Sequence, residues 1–366
     1  MKTTKSEKSE VVNLRVTKKY ESIKVSIDWH ARQYRVVRII DHAGPEPAQR
    51  FSPSGFLAWM AKQMDLAAAV YSCYEAGAGG FVLHRQLTKL GVKNLVITPR
   101  DLDRDHTGVK NDARDALEMA QDLDRYVRGN AKALRLAYVP TPEAEERRQQ
   151  SRQRLQLRAQ RLSLAAQGRS LLLSQGWPES NHWWKMSHWA KLRPGLPSWL
   201  VAALEVFQRL IVAIDQEIKS LQRKVQAAAP AERPTGLGAL GYEELHREVC
   251  DWQRFKKRKA LGSYTGLVGG VYASDAHVRD LSITKAGNVR LRTMLIELAW
   301  RWVFYQPQCP LIQRWGKVLL NRQAHRGARK KAIVAVARQL FIQLWRWQTG
   351  RATPEQFGWV MRNAHS

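Results

Sequence analysis

After Pro140 and Pro142 the sequence changes character, and that break limits the possible fold more than any other feature. Upstream of it, apolar residues come in short runs of changing period. Ile23, Val25 and Ile27 alternate as one face of a strand, Tyr34 to Ile40 reads as a second strand, and the proline-bearing passage Gly44 to Pro53 leaves room for a short third. Phe56, Leu57, Met60, Ala61 and Met64 then fall at helical spacing. A buried strand (Ala68 to Tyr74), a helix (Val82 to Leu90), a strand (Asn94 to Thr98) and a helix from near Asn111 follow. This order predicts an α/β domain over residues 21–140.

Downstream the text is helical. Glu143 to Leu173 is an arginine-rich stretch without proline, and Leu196 to Ala229 carries an apolar stripe through Leu200, Leu204, Phe207, Leu210, Ile211, Ile214, Ile218 and Leu221. Two long helices joined by a compact tip predict an antiparallel hairpin arm over residues 141–229. The tip holds Trp177, Trp183, Trp184, Trp189 and Trp199, five of the 14 tryptophans. They either fill a small core or offer rings to bases or a partner subunit. Pro230 to Pro234 marks a second boundary, and residues 230–366 read as a mostly α, densely basic domain.

Charge narrows the partners. Sixty lysines and arginines oppose 32 acidic residues, a formal net charge of +28. Such a surface repels itself unless it meets a polyanion, which makes nucleic acid the expected partner. Cys73, Cys250 and Cys309 stand at no metal-ligand spacing, so neither a disulfide framework nor a zinc finger is expected, and the histidines show no zinc pattern. No apolar run approaches the roughly 20 residues that cross a bilayer. The lysine-rich opening, residues 1–20, lacks the apolar core of a signal peptide and reads as a basic flexible arm of a cytoplasmic protein.

Four carboxylates stand where they could do chemistry. Asp112 and Asp115, three apart at a helix start, share a face. Asp28 ends the first strand and Glu75 ends the strand before Gly77, Gly79 and Gly80. If those strands are parallel neighbours, both acids emerge at one end of the sheet, where α/β sites form. Oxygen ligands suit Mg2+ or Mn2+, and two such ions about 4 Å apart can activate a nucleophile and stabilise the leaving oxygen of a phosphodiester. Singly, an Asp pair early in a helix stabilises the dipole and a Glu after a strand is a loop residue; the order of all four together favours the metal reading.

Ile27-Asp28, Tyr74-Glu75-Ala76-Gly77 with Gly80-Phe81, and Lys110 to Ala116 resemble the DEDD motif of a bacterial insertion-sequence transposase family related to the Piv DNA invertase. Leu261 to Val268, Tyr272-Ala273-Ser274, Arg279 and Ile283 to Arg292 are similar to that family's second block, and so is the tail from Gly327 to Trp345. The match departs at Asp275 and Leu281, where glycine is expected, and at Gly269, where proline is common. The resemblance implies an RNase H-like (RuvC-like) catalytic domain, a helical arm and a serine-bearing, DNA-binding C-terminal domain. It implies a DNA transposase or recombinase in which Asp28, Glu75, Asp112 and Asp115 hold divalent metal and Ser274, with Ser263 and Ser282 as competitors, attacks a DNA phosphate. It further implies a nucleoid-associated bacterial protein, guidance by a bridge RNA, and a dimer or tetramer.

Lys285, Arg290 and Arg292 around Gly287, with Arg279, are candidates to grip phosphates at a helix start; the plainer reading is a solvated basic helix. Gly236-Leu237-Gly238 before a helix is either half of a backbone clamp or a turn. His277 stands three residues from Ser274. Two other functions remain open on the residues alone: a hydrolytic nuclease of the Holliday-junction resolvase type, in which water replaces the serine, and a non-catalytic nucleic-acid-binding protein.

Overall fold

Residues 18–98, 112–274, 277–321 and 323–362 are described by a computed structural model, apart from the side chains of residues 112–113 and 271–280. The basic opening up to residue 17, Lys110-Asn111 and Asp275 therefore lie outside the described residues. The chain divides into two compact units, Met1–Val139 and Pro140–Ser366.

In the first unit, β1 (Tyr20–Trp29) buries both faces: Ile23, Val25 and Ile27 on one, Lys24 and Ser26 on the other. Strand β2 (Tyr34–Ile40) pairs with it antiparallel, and the short β3 (Gln49–Phe51) pairs with β2. Helix α1 (Pro53–Leu66) begins where Ser52 Oγ accepts the Gly55 amide and proline occupies the first turn, a favoured start. Strand β4 (Ala67–Glu75) returns parallel to β1; helix α2 (Val82–Lys89) leads to β5 (Lys93–Ile97), parallel to β4, and α3 (Asp112–Val127) follows. The sheet order is β3-β2-β1-β4-β5. Phe56, Met60, Leu83 and Leu87 cover one face. On the other face Ala116, Met119, Ala120 and Leu123 of α3 lie against Val37, Ile39, Cys73 and Ile97. Each Val, Leu, Ile, Phe or Met among them that is taken from water contributes about 1.5–3 kcal/mol.

The second unit opens with α4 (Pro142–Ser174), capped by Thr141 Oγ1 on the Ala144 amide and carrying Glu143 and Glu145 at its positive end. After α5 (Met186–Leu192), α6 (Ser198–Ala227) packs back along α4: Leu172, Leu200 and Leu204 share one buried cluster, and Arg161 pairs with Asp215. The second of these helices starts after Pro197 rather than at Leu196. At the tip Trp183, Trp184 and Trp189 are buried in a local core, with Trp183 Nε1 donating to the Ala165 carbonyl at 2.9 Å, whereas Trp199 is 55% exposed.

Beyond the arm, β6 (Arg233–Pro234) pairs with β9 (Met361–Arg362). Between them lie α7 (Ala239–Val249), α8 (Arg258–Thr265), the antiparallel hairpin β7 (Gly269–Ser274) and β8 (His277–Ile283), α9 (Val289–Tyr305), α10 (Pro310–Leu319) and α11 (Arg326–Gln348). Leu295, Trp302, Val336, Leu340, Phe341 and Leu344 form the centre of their core. The β7–β8 hairpin is a pair of strands inside a region that the sequence indicates only as mostly α. No described helix is long and apolar enough to cross a membrane.

Candidate active site

Register arithmetic places the acids of the first unit. Ile27 of β1 pairs with Tyr74 of β4 in parallel, so Asp28 and Glu75 are the next residues along two neighbouring strands. Because side chains alternate, both fall on the face that carries Ser26 and Cys73, the face covered by α3.

The direction of α3 completes the arrangement. Ser26 Oγ donates to the Ala116 carbonyl at 2.6 Å, and Lys24 Nζ, two residues earlier on β1, lies 2.9 Å from a carboxylate oxygen of Asp124, eight residues later on α3. The helix therefore runs opposite to β1. Its first turn, with Asp112 and Asp115, comes to the same end of the sheet as Asp28 and Glu75. Lys24, buried at 1% exposure, has its charge met by Asp124 and by the Asp41 carbonyl.

The chain on either side of Glu75 is held in place. Ala76 donates its amide to the Ile97 carbonyl at 2.7 Å, and Tyr74 Oη donates to the Gly80 carbonyl at 3.0 Å. A Cβ at Gly79 would lie 2.5 Å from the Trp29 ring, so only glycine lets this loop close against the residue after Asp28. Asp28, Glu75 and Asp115 are all half-buried. Among the described residues no group of three or more His, Cys, Asp or Glu is gathered closely enough to hold a metal ion, and the Asp112 side chain lies outside them. The donor set itself fits a hard divalent cation: carboxylates at one sheet end, with no thiol or imidazole among the four.

The second unit carries the other candidates. Ser274 is the last residue of β7, paired across the hairpin with His277, and Arg279 pairs with Tyr272; their side chains lie outside the described ones. Ser263 sits in α8 with its hydroxyl on the Lys259 carbonyl, and Ser282 is exposed on β8. Lys285 and Arg290 are exposed. Arg292 is tied down instead, its Nη1 donating to the Thr265 and Lys285 carbonyls at 2.9 Å each. Asn288 caps α9 by accepting the Leu291 amide, so the helix start is partly satisfied by its own chain. Gly287, at φ +97°, lies where a Cβ would stand 2.4 Å from the Tyr264 carbonyl oxygen.

Sequence reasoning missed Glu248. Its carboxylate accepts both Arg152 Nε at 2.8 Å and a second guanidinium nitrogen at 3.0 Å, and takes Asn288 Nδ2 at 2.9 Å, while its carbonyl accepts Tyr264 Oη. Burial would raise this carboxyl, but the Arg152 and Asn288 hydrogen bonds outweigh it and hold the group below the usual carboxylate range. The neighbouring Glu244 goes the other way, raised by burial despite Arg154. Arg152 and Glu248 stand 96 residues apart, and no local spacing announces the pair; an Asn before an apolar helix, as at Asn288, is the kind of signal that could have pointed to the cap.

Comparison with known proteins bears on three quarters of the chain, 75% in the widest match. Residues 231–311 match the family described as Transposase IS116/IS110/IS902. A Sinorhizobium fredii protein assigned as a transposase, y4rJ, is 31% identical over 302 residues, covering 75% of this chain and 75% of its own. The chain belongs to this transposase family. A second Sinorhizobium fredii protein assigned as a transposase, y4qE, is 27% identical over 248 residues, 64% of this chain and 58% of its own. The transposase of insertion sequence element IS1533 from Leptospira borgpetersenii is 40% identical over 53 residues, 14% of this chain and 15% of that one. Membership makes the chain an insertion-sequence transposase, an enzyme whose substrate is DNA and whose general activity is to cut and rejoin it.

Proposed function

We propose that this transposase breaks and rejoins DNA strands through a divalent-metal site of Asp28, Glu75, Asp112 and Asp115 and a serine nucleophile, Ser274. The observation that carries this reading is the parallel Ile27 to Tyr74 register combined with the reversed direction of α3, which bring the backbones of all four acids to one sheet end. The strand order β3-β2-β1-β4-β5, with β1, β4 and β5 parallel, supports an RNase H-like (RuvC-like) first unit. When bound, Mg2+ or Mn2+ would supply charge stabilisation at the phosphate and make a weak hydroxyl reactive. Asp28 and Glu75 orient from the strands and Asp112 and Asp115 from the helix.

Ser274, at the tip of its hairpin, attacks phosphorus. Its Oγ–P bond forms, one P–O bond to sugar breaks, and the serine proton ends on the departing sugar hydroxyl. A hydroxyl of the other strand then reverses the step, so the phosphodiester is conserved without hydrolysis. Lys285, Arg290 and Arg279 offer positive charge near that hairpin in the sequence; Arg292 acts through the loop it ties.

A bridge RNA as guide and assembly as a dimer or tetramer belong to the same reading, and the net charge of +28 suits a nucleic-acid partner. The test is adduct trapping. Wild type incubated with element-end DNA and Mg2+ should yield a protein–DNA ester that is absent in Ser274→Ala. Cut DNA with no adduct would move the chain to a hydrolytic nuclease, and activity undiminished in Asp28→Ala to a non-catalytic binder. Sequencing of co-purified nucleic acid should return one discrete RNA species.

A further inference from the structure

Helices α8, α10 and α11 and the β7–β8 hairpin enclose a groove of about 1130 Å³. Arg258 and Lys259 of α8 line it together with Lys285. From the other helices come Arg314 of α10 and Lys330, Lys331 and Arg338 of α11. All are exposed, and no aspartate or glutamate is among the described lining residues. Cations this dense repel one another, and only an external polyanion relieves them.

The floor between the cations is apolar. Leu281 is 50% exposed, and Ile283, Trp315, Val334 and Ile342 are only partly buried against the core. Along α11, Lys330, Val334, Arg338 and Ile342 recur every four residues, so one helix face presents cation and apolar side chains alternately over about 18 Å.

That alternation discriminates between forms of nucleic acid. A duplex offers phosphates outward and keeps its base faces stacked inside, so an apolar floor would be left against sugar and phosphate. An unpaired strand offers both at once, phosphates to the cations and base faces to the floor. We propose that this groove holds an unpaired nucleic-acid strand, with Trp315 as a stacking platform and Lys330, Lys331 and Arg338 on its phosphates. The inference rests on the transposase reading for its source of such a strand, either opened DNA or a loop of RNA. It also gives the hairpin a context: β7 leaves the groove at Gly270 and reaches Ser274 four residues, about 13 Å, further on.

The test is equilibrium binding of the full chain, with EDTA present, to single-stranded DNA, single-stranded RNA of the same sequence, and the duplex, each over a salt series. The single strands should bind more tightly than the duplex, and whichever of the two binds more tightly identifies the source. Lys330→Ala with Lys331→Ala should flatten the salt slope for the single strand by about 1.4, roughly 0.7 for each phosphate left without its lysine. The charge-matched pair Arg209→Ala with Lys224→Ala, exposed on α6, should leave it unchanged. Trp315→Leu should weaken single-strand binding about fivefold or more, and Trp315→Phe should retain it, which separates stacking from misfolding. Preference for the duplex, or equal slopes in the two double variants, overturns the proposal. Because no metal is present, these results are independent of adduct trapping: a chain that binds as expected but forms no serine ester keeps the groove and loses the proposed chemistry, and the converse loses only the groove.

Discussion

The two units position their chemical groups by different physics. In residues 1–139 the acids are placed by backbone register: once β1 and β4 pair in parallel, Asp28 and Glu75 can only be neighbours, and α3 is registered by the short contacts of Ser26 and Lys24. In residues 140–366 the loop carrying Lys285 to Arg292 is placed by polar contacts between distant residues, through Glu248, Asn288, Tyr264 and Arg292. A sheet places a site by counting along strands, whereas a helical domain needs buried ion pairs to hold a loop still. The first kind of site should tolerate change at its periphery and fail when a ligand is lost; the second should fail when its polar ties are cut.

That contrast can be broken most sharply at Asp28. Asp28→Ala should lower strand cutting by more than the roughly 100-fold that loss of a residue merely supporting a metal ligand costs, while thermal unfolding stays close to wild type. A fall in stability with little loss of cutting would contradict the register account. Glu248→Ala comes next, and should cost about 3 kcal/mol in denaturant unfolding, since it leaves Arg152 partly buried with its charge unmet. The pH dependence has a definite sign. The folded Glu248 carboxyl lies below its unfolded value, so its contribution is complete above about pH 4.3 and is lost as pH falls through the lowered value. The difference between wild type and Glu248→Ala should therefore shrink below that pH, and a difference growing with acid would show the sign to be wrong.

Gly79→Ala sharpens the comparison from the first unit. The added methyl meets Trp29 at 2.5 Å, and the variant should lose about 2 kcal/mol by overpacking together with part of its cutting rate, because the loop beside Asp28 must shift. The smallest effect expected is at Thr141→Ala, which removes the cap of α4 and should cost about 1 kcal/mol, read by denaturant titration, with cutting unchanged.

What could be read beforehand follows the same division. The alternation of Ile23, Val25 and Ile27, the helical spacing from Phe56 and the long stripe from Leu200 are local patterns, and strands and long helices appear where they indicate. Leu210 of that stripe is nevertheless 49% exposed, since a stripe marks one side of a helix without saying how much of it is covered. The passage from Gly262 to Gly270 was opaque because its glycines serve opposite ends. Gly262 lies inside α8, where a Cβ would press Val268 at 2.8 Å, while Gly269 and Gly270 begin a strand. Helix α10, opening at Pro310, is only ten residues long and carries too short a pattern to stand out beside α9 and α11. The groove of α8, α10 and α11 was invisible because its cations are up to 80 residues apart, from Arg258 to Arg338, and only packing makes them one surface.

The most direct test of the central claim is titration of the purified chain with Mn2+, followed by the paramagnetic signal of the free ion. Wild type should remove Mn2+ from solution, and Asp28→Ala and Asp112→Ala, which change residues 84 positions apart, should each abolish that uptake. Uptake unaltered by either substitution would mean that these carboxylates do not share a cation, and the proposed metal-dependent chemistry would have no site.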